Sequence, residues 1–171
     1  MQLILLSNDE KEIYKEQILA ILRIGNNDFV PPLSARFSQN WEEGYFGGMA
    51  SGDILAATEN GKILGFVAFK KNYLCENIIA EDSFPNIYVG TLLVHPDARG
   101  RHLAREMYTH LFDTLFPDAN LFTRTWSTND AHIAILSRFG FSKIARIESD
   151  RAEGIDTVYF GKSRRIKTSA L

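Results

Sequence analysis

Apolar and polar positions in the first third of the chain alternate with the period of helices more often than with that of strands. Ser7 and Glu10 have the spacing of a capping box, and apolar residues then recur at helical intervals as far as Leu22. Two consecutive prolines further on favour an extended backbone. The pattern predicts a strand at 2–6, a helix from Ser7 that stops at 25–28, an extended linker at 29–33 and a helix over about 37–50.

The pattern of apolar residues in the middle of the chain predicts strands. Asn60 and Gly61 lie between two apolar runs, which is a strong local signal for a β-hairpin. A near-continuous apolar run follows and ends at Pro96, as is typical of a central strand covered on both faces. The predicted elements are strands at 53–58 and 63–70 around a turn at 59–62, a loop at 71–85 and a central strand at 86–95.

The last part of the chain returns to helix and strand in alternation. Leu103, Met107, Leu111 and Leu115 recur on one helical face. The predicted elements are a helix at 100–116, a strand at 120–126, a helix from a Thr128–Asn129 cap to 138 with Gly140 just beyond it, and strands at 142–148 and 157–162 around a polar turn containing Gly154. The order β-α-α-β-β-β-α-β-α-β-β predicts an α/β (α+β) protein, with a mixed sheet covered by helices in one domain over residues 1–171.

Composition and charge narrow the class of protein. A length of 171 residues suits one domain, and a net charge of −2 gives no reason to expect nucleic acid or an anionic membrane as partner. The short basic run at 162–167 is interpreted as a solvated tail. The apolar start of the chain is too short for a signal peptide or a membrane span. The single cysteine, Cys75, excludes an intrachain disulfide and fits the cytoplasm, and no zinc-type ligand cluster is present.

Residues 92–105 carry the candidate chemistry. A buried strand ends at Pro96, and a short loop leads into a helix that starts with three closely spaced arginines, Arg99, Arg101 and Arg105. Free N–H groups and the helix dipole attract an anion there, and Gly100 allows close approach to the backbone. The alternative is a solvent-exposed basic turn. Because arginine at a helix start opposes the dipole unless an anion is bound, the pattern favours a pyrophosphate site.

Val94, Pro96, Arg99, Gly100 and Ala104 match the motif V-x-P-x-x-R-G-x-G-x-A/G. This segment resembles the acyl-CoA pyrophosphate motif of the GNAT family of N-acetyltransferases. The chain departs from it at His102, which replaces the middle glycine. A side chain there could crowd the pyrophosphate or donate a hydrogen bond to it, while the other backbone N–H groups remain.

A second segment resembles the family's N-x-x-A-I-x-L-Y-x-K-x-G-F helix, through Asn129, Ile133 and the pair Gly140–Phe141. The resemblance implies that this helix packs along the cofactor arm, although an ordinary amphipathic helix fits the same residues. The cofactor-binding residues it implies are Leu93, Val94, Arg99, Gly100, Arg101, His102, Leu103, Ala104, Arg105, Asn129, Ile133 and Leu136.

The resemblance also implies a fold and a reaction. The expected fold has about seven strands and about four helices, with a splayed strand pair that holds acyl-CoA. The expected reaction is direct attack of a primary amine on acetyl-CoA without a metal, assisted by a backbone N–H near Leu93 or Val94. The acceptor is a small molecule or protein amine that the sequence leaves open. A homodimer is compatible with such a sheet, but nothing in the sequence demands one.

The groups that usually act as base and acid are replaced in this chain. The family's strand glutamate corresponds to Thr91, and its helix tyrosine corresponds to Leu136. Candidate catalytic residues are therefore Thr91, Tyr88, His132 and Tyr159, and for the last three a structural role is favoured. Glu42, Glu43, Tyr45 and Phe46 could form an amine-binding wall or an ordinary amphipathic helix, and the charged turn 149–156 could close over an acceptor or be a hairpin tip. The alternatives to an enzyme are an acyl-CoA-binding sensor and a scaffold that no longer binds the cofactor.

Overall fold

The computed structural model describes residues 1–36, 39–73 and 85–163. The described residues contain seven strands in one mixed sheet, as predicted, and these strands follow the order β1-β2-β3-β4-β5-β7-β6. The described part of the chain has five α-helices where about four were expected. The elements are β1 Gln2–Leu5, α1 Asn8–Ile13, α2 Lys15–Gly25, α3 Trp41–Ala50, β2 Asp53–Glu59, β3 Lys62–Lys71, β4 Asn86–Val94, α4 Leu103–Thr109, β5 Asn120–Trp126, α5 Asp130–Arg138, β6 Ser142–Ala152 and β7 Ile155–Lys162.

The first predicted helix is two helices, which accounts for the difference in number. Both bonds of the capping box are present: Glu10 N donates to Ser7 Oγ at 3.2 Å, and Ser7 N donates to Glu10 Oε2 at 2.8 Å. The bond from the Ser7 backbone lowers the pKa of Glu10. At Tyr14 the backbone leaves the helical range (φ −92°, ψ 0°), so α1 ends there and α2 starts anew.

Two compact units make up the chain, Met1–Phe69 with Gly90–Leu111, and Lys70–Val89 with Phe112–Leu171. In the first unit both faces of β2 are buried. Ile54 and Ala56 join the core cluster with α2 and α3, while Leu55 and Ala57 are buried on the opposite face, where α4 lies beside the strand. Two covered faces explain why β2 reads as an unbroken apolar run.

A buried lysine fixes the end of α3 in this unit. Lys11 Nζ donates to Ala50 O at 3.1 Å, to Gly52 O at 2.7 Å and to Asn8 Oδ1 at 3.3 Å. These bonds satisfy carbonyl groups at the C-terminus of α3, which has no further helical turn to bond them. They tie α1 to α3 and so help to position the side chains of α3.

Several predicted boundaries shift in the first unit. The hairpin turn is confirmed, with Asn60 and Gly61 both at positive φ, as a type I′ turn requires. Leu33, predicted as linker, begins a 3₁₀ turn that runs to Arg36. The predicted start of the second helix at 37–38 lies outside the described residues, and α3 begins only at Trp41.

In the second unit, β5 lies between β4 and β7. The parallel ladder with β4 runs from Asn86–Asn120 to Val89–Thr123, and β7 pairs with β5 in the antiparallel direction. The end of α5 is a Schellman motif, in which Phe141 N donates to Leu136 O and Gly140 N to Ser137 O. Gly140 has φ +78°, which confirms its predicted place just beyond the helix.

The last hairpin is longer than predicted. β6 continues to Ala152 and β7 begins at Ile155, so most of the charged segment 149–156 is strand and the turn is confined to 153–154. Its charged groups bond within the hairpin. Asp156 accepts from Ser149 N at 2.9 Å and pairs with Arg146 at 2.7 Å. These bonds support the interpretation of a hairpin tip.

Two predicted segments fall largely outside the described residues. They are most of the loop at 71–85, of which 74–84 are not described, and most of the basic run at 162–167. None of the helices in the described part of the chain is long and apolar enough to span a membrane.

Candidate active site

One bond to β3 and several short-range bonds shape the loop after β4. His95 N donates to Leu64 O of β3 at 2.8 Å, which holds the end of β4 against its neighbour. His95 Nδ1 accepts from Asp97 N at 3.2 Å and caps a 3₁₀ turn over Pro96–Ala98. The turn ends at Arg99, whose backbone is extended.

Two residues of the loop have left-handed backbone. Gly100 has φ +80°, and His102 has φ +61° and ψ 18°. A side chain at positive φ is strained, so the glycine that the family motif carries at the His102 position has a backbone reason as well as a steric one. His102 is exposed, and its carbonyl accepts from Glu106 N at 3.0 Å at the start of α4.

These two residues also delay the helix. It was predicted from Gly100, but α4 begins at Leu103 and runs to Thr109, followed directly by a π-helical turn over His110–Leu115. Leu103, Met107 and Tyr108 are buried and anchor α4, and burial raises the pKa of the Tyr108 phenol. Ala104 is half-buried and Arg105 is exposed.

Both predicted loop arginines are ion-paired in the protein. Arg99 Nη2 lies 2.6 Å from Asp28 Oδ2, with both side chains 50% exposed, and Arg99 Nε donates to Val94 O at 3.4 Å. Arg101 makes two bonds to Glu59, of 2.7 and 3.2 Å. This pairing raises the pKa of Arg101 and lowers that of Glu59. Asp28 and Glu59 were missed by the sequence analysis because no local pattern connects residues 71 and 42 positions apart.

The face of β4 before the loop packs on α2 and α3. Leu93 belongs to the core cluster, and a Cβ added at Gly25 would lie 2.9 Å from its side chain. A Cβ at Gly65 of β3 would lie 2.8 Å from Leu93 O and 3.1 Å from Val94 Cα. Glycine at position 65 therefore lets β3 approach the last residues of β4 closely.

Thr91 lies on the same face of β4 as Leu93, two residues earlier. Its side chain is buried, and its Oγ1 lies 2.8 Å from the hydroxyl of Tyr45 on α3, either of which can be the donor. Tyr45 is half-buried and packs against the core cluster. The structure thus joins the predicted catalytic position Thr91 to a residue of the predicted amine-binding wall.

In the second unit, Asn129 caps α5. Its Oδ1 accepts from His132 N at 3.3 Å, and its Nδ2 donates to Thr125 Oγ1 of β5 at 2.9 Å. Leu136, at the position of the usual acid, is fully buried and Ile133 is half-buried. The amide of Asn129 therefore fixes the start of α5 to β5.

His132 follows that cap on the first turn of α5 and is half-buried. Burial lowers its pKa from the usual 6.5 to about 4. The imidazole is therefore neutral at physiological pH. It can accept a proton there only weakly, since a base with so low a pKa is mostly unprotonated even in mild acid.

Tyr88 and Tyr159 form a buried cluster with Phe122 in the second unit. The hydroxyl of Tyr159 lies 3.3 Å from Arg124 Nη1, and the ring of Tyr88 lies 5.2 Å from that of Tyr73. These contacts give both tyrosines a packing role. Within residues 1–36, 39–73 and 85–163, no group of three His, Cys, Asp or Glu side chains is placed to hold a metal ion.

The seven-stranded mixed sheet, with a central strand that ends in an arginine- and glycine-containing loop before a helix, is the architecture of an acyl-CoA-dependent acetyltransferase. The sequence matches the Acetyltransferase (GNAT) family over residues 18–141. The chain therefore belongs to this family. No curated protein sequence gives a significant match.

Solved structures share the fold over nearly the whole chain. A ribosomal-protein-alanine N-acetyltransferase from Brucella melitensis is similar with a TM-score of 0.70 and 14% identity, covering 95% of this chain and 99% of that one. An aminoglycoside 6′-N-acetyltransferase complexed with coenzyme A is similar with a TM-score of 0.70 and 11% identity, covering 95% of this chain and 96% of that one. YncA from Salmonella typhimurium, solved with its cofactor acetyl-CoA, is similar with a TM-score of 0.67 and 17% identity, covering 95% of this chain and 93% of that one. Identities this low establish the fold alone.

Proposed function

We propose that the protein transfers the acetyl group of acetyl-CoA to a primary amine by direct attack, as a single catalytic domain over residues 1–171. The observation that carries the proposal is the loop after β4. It presents Arg99 half-exposed beside Gly100, whose left-handed backbone leaves open space where a side chain would be. Mobile guanidinium groups and free backbone N–H groups suit a pyrophosphate.

The hydrogen-bond directions in β4 select one backbone donor. Because His95 N points to Leu64 O of β3, and N–H groups alternate in direction along a strand, the Leu93 N–H also points to β3 and the Val94 N–H points away from it. Of the two donors that the resemblance implies, we propose Val94 N–H as the one that stabilises the negative charge developing on the thioester oxygen.

The chemical requirement on the acceptor is a neutral amine. A lysine-type amine has a pKa of about 10.4 and must lose a proton before it attacks. The protein holds a threonine where a carboxylate base is expected and a fully buried leucine where an acid is expected. Positioning of the two reactants can supply much of the rate without either group, since well-oriented intramolecular reactions gain several orders of magnitude.

Release of the CoA thiol from acetyl-CoA tests the proposal directly. The acceptor panel should contain a peptide with a free N-terminal alanine, an aminoglycoside, a lysine peptide and a polyamine. The first two are chosen because neighbours in fold are named for such acceptors. We expect release with at least one acceptor and its loss in Arg99→Ala. Lack of release with every acceptor would contradict the proposal.

A second candidate is an acyl-CoA-binding sensor with little activity. The observation in its favour is Leu136, which is 0% exposed and cannot donate a proton at the position of the usual acid. Tight binding of acetyl-CoA in calorimetry, without release of CoA with any amine, would support the sensor. The cytoplasmic location and a homodimer remain predictions.

A further inference from the structure

The hydrogen bond between Tyr45 and Thr91 brings two hydroxyl groups together beside the apolar core cluster of the first unit. The Thr91 side chain is 5% exposed, and its Oγ1 lies 2.8 Å from the Tyr45 hydroxyl. Thr91 belongs to a strand with no charged residue between Asn86 and Val94. Thr91 therefore places a hydroxyl, and not a carboxylate, at this point of the strand.

One member of the pair, Thr91, lies on the same strand as the backbone donor proposed above. Thr91 is three residues before Val94, which is about 10 Å along a strand. It shares a face of β4 with Leu93, which packs in the same cluster as Tyr45 and the buried Phe46.

Charged groups on the neighbouring elements are engaged with one another. On α2 and α3, Glu42 Oε1 lies 3.1 Å from Arg23 Nε, and Glu43 Oε2 lies 2.8 Å from Lys15 Nζ. Further charged groups on the elements around the pair include Asp9, Glu10, Lys11 and Glu12 on α1, Glu16 on α2, Asp53 and Glu59 on β2, Lys62, Lys70 and Lys71 on β3, Asp28 after α2, and His95 and Arg99 after β4. Glu42, half-buried and on the same helix as Tyr45, is the strongest competing candidate for a base.

We propose that the Tyr45–Thr91 hydroxyl pair receives the acceptor nitrogen and takes the place of a carboxylate base. The inference rests on the acetyl transfer proposed above. Hydroxyl oxygens accept hydrogen bonds from an N–H group. Because two neutral hydroxyls stabilise an ammonium ion much less than a carboxylate does, the pair binds the amine in its neutral form.

The step balances without a co-reactant. The acceptor loses its first proton to solvent and enters as R–NH₂. Its nitrogen lone pair forms the bond to the acetyl carbon, the C–S bond breaks, and its electron pair leaves on the CoA sulfur. The second nitrogen proton passes through the Thr91 and Tyr45 hydroxyls to solvent, and the thiolate either takes up a proton or leaves as the anion.

The pH profile of kcat/KM for the amine tests this assignment, using the acceptor from the panel that gives the fastest release of CoA. In the wild type we expect a rise of tenfold per pH unit up to the pKa of that amine, with no earlier plateau. In Thr91→Glu we expect the profile to level off below the amine pKa, because the new carboxylate can take the proton at lower pH.

Matched tyrosine variants separate binding of the acceptor from folding. We expect Tyr45→Phe to lower kcat/KM for the amine about tenfold or more while the Kd for acetyl-CoA is unchanged, since it removes a hydrogen-bond partner of the nitrogen. Tyr14→Phe is the control, because Tyr14 is also half-buried against the same cluster. It should leave both constants unchanged.

Three outcomes would overturn the inference. Wild-type kinetics in Tyr45→Phe would show that the hydroxyl pair does not bind the nitrogen. A wild-type plateau below the amine pKa that disappears in Glu42→Gln would assign the base to Glu42. If the wild type binds acetyl-CoA but acetylates no member of the panel, the proposed function itself fails, and the assignment of Tyr45 and Thr91 fails with it.

Discussion

Bonds between residues two or three positions apart shape the backbone turn at 95–99, whereas the hydrogen bond between Thr91 and Tyr45 joins residues 46 positions apart. In the loop, each residue suits the backbone conformation at its own position. The loop can therefore be recognised from a run of consecutive residues in the sequence. The hydroxyl pair exists only because α3 packs on β4. A loop of this kind can thus be inherited as a short motif, while the hydroxyl pair can change through single substitutions on either element.

The largest effect should come from a substitution that both regions depend on, Gly65→Ala. Its Cβ would meet the backbone of β4 at Leu93 O and Val94 Cα, and backbone atoms cannot move aside as a flexible side chain can. We expect the free energy of unfolding, measured in urea titrations, to fall by about 1–3 kcal/mol. CoA binding and acetyl transfer should both decrease.

Two alanine controls define that effect. Gly25→Ala would meet only the side chain of Leu93 and should cost less, and Gly47→Ala in α3 meets nothing within 4 Å and should be neutral or stabilising. Equal losses in all three variants would show that the close approach at Gly65 is not the cause.

Arg99→Ala separates the loop from the hydroxyl pair. Loss of charge-assisted bonds to the pyrophosphate should weaken acetyl-CoA binding about tenfold to a hundredfold in calorimetry, while the Kd of the acceptor changes little. Lys143→Ala, which removes an exposed positive charge on β6, is the control and should bind normally. Unchanged binding in Arg99→Ala would remove the loop from the cofactor site.

Asp28→Asn should act in the opposite direction. The carboxylate of Asp28 competes with a phosphate for Arg99, and an exposed ion pair is worth about 0.2–1 kcal/mol. We therefore expect acetyl-CoA to bind about twofold to fivefold more tightly to the variant. Weaker binding would show instead that Asp28 holds Arg99 in the geometry that the cofactor needs.

The smallest effect should come from His102→Gly. Glycine relieves the strain of a side chain at φ +61°, but it also adds entropy to the unfolded chain, and the two contributions nearly cancel. We expect stability to change by less than about 1 kcal/mol and acetyl-CoA affinity to change by less than about threefold, because the exposed side chain does not fill the loop. Restoration of binding only in this variant would show that His102 had closed the site.

Local signals explain how much of the fold could be predicted. The Ser7–Glu10 box, the Asn60–Gly61 turn and the Gly140 helix end each depend on residues within five positions, and each is present in the structure. The break at Tyr14 and the π-helical turn after Thr109 were not predicted, because both elements continue an amphipathic pattern that also suits an uninterrupted helix.

The same difference between local and long-range signals applies to the candidate site. Arg99 and Thr91 were found from the sequence, but their partners in the folded protein, Asp28 and Tyr45, were not, because no motif connects residues so far apart in the chain. The sequence left open whether the residues of α3 form an amine-binding wall or an ordinary amphipathic helix. Only packing shows which of its residues reaches Thr91.

The carboxylates paired with Arg99 and Arg101 bear on how the protein responds to ionic strength. Added salt screens the attraction between the loop and an incoming pyrophosphate, but it also loosens the exposed pairs with Asp28 and Glu59 that the cofactor must displace. The two effects oppose each other, so affinity for acetyl-CoA should fall less steeply with salt than two unpaired arginines would give. Occupancy of the proposed site would then change less with ionic strength than it would with unpaired arginines.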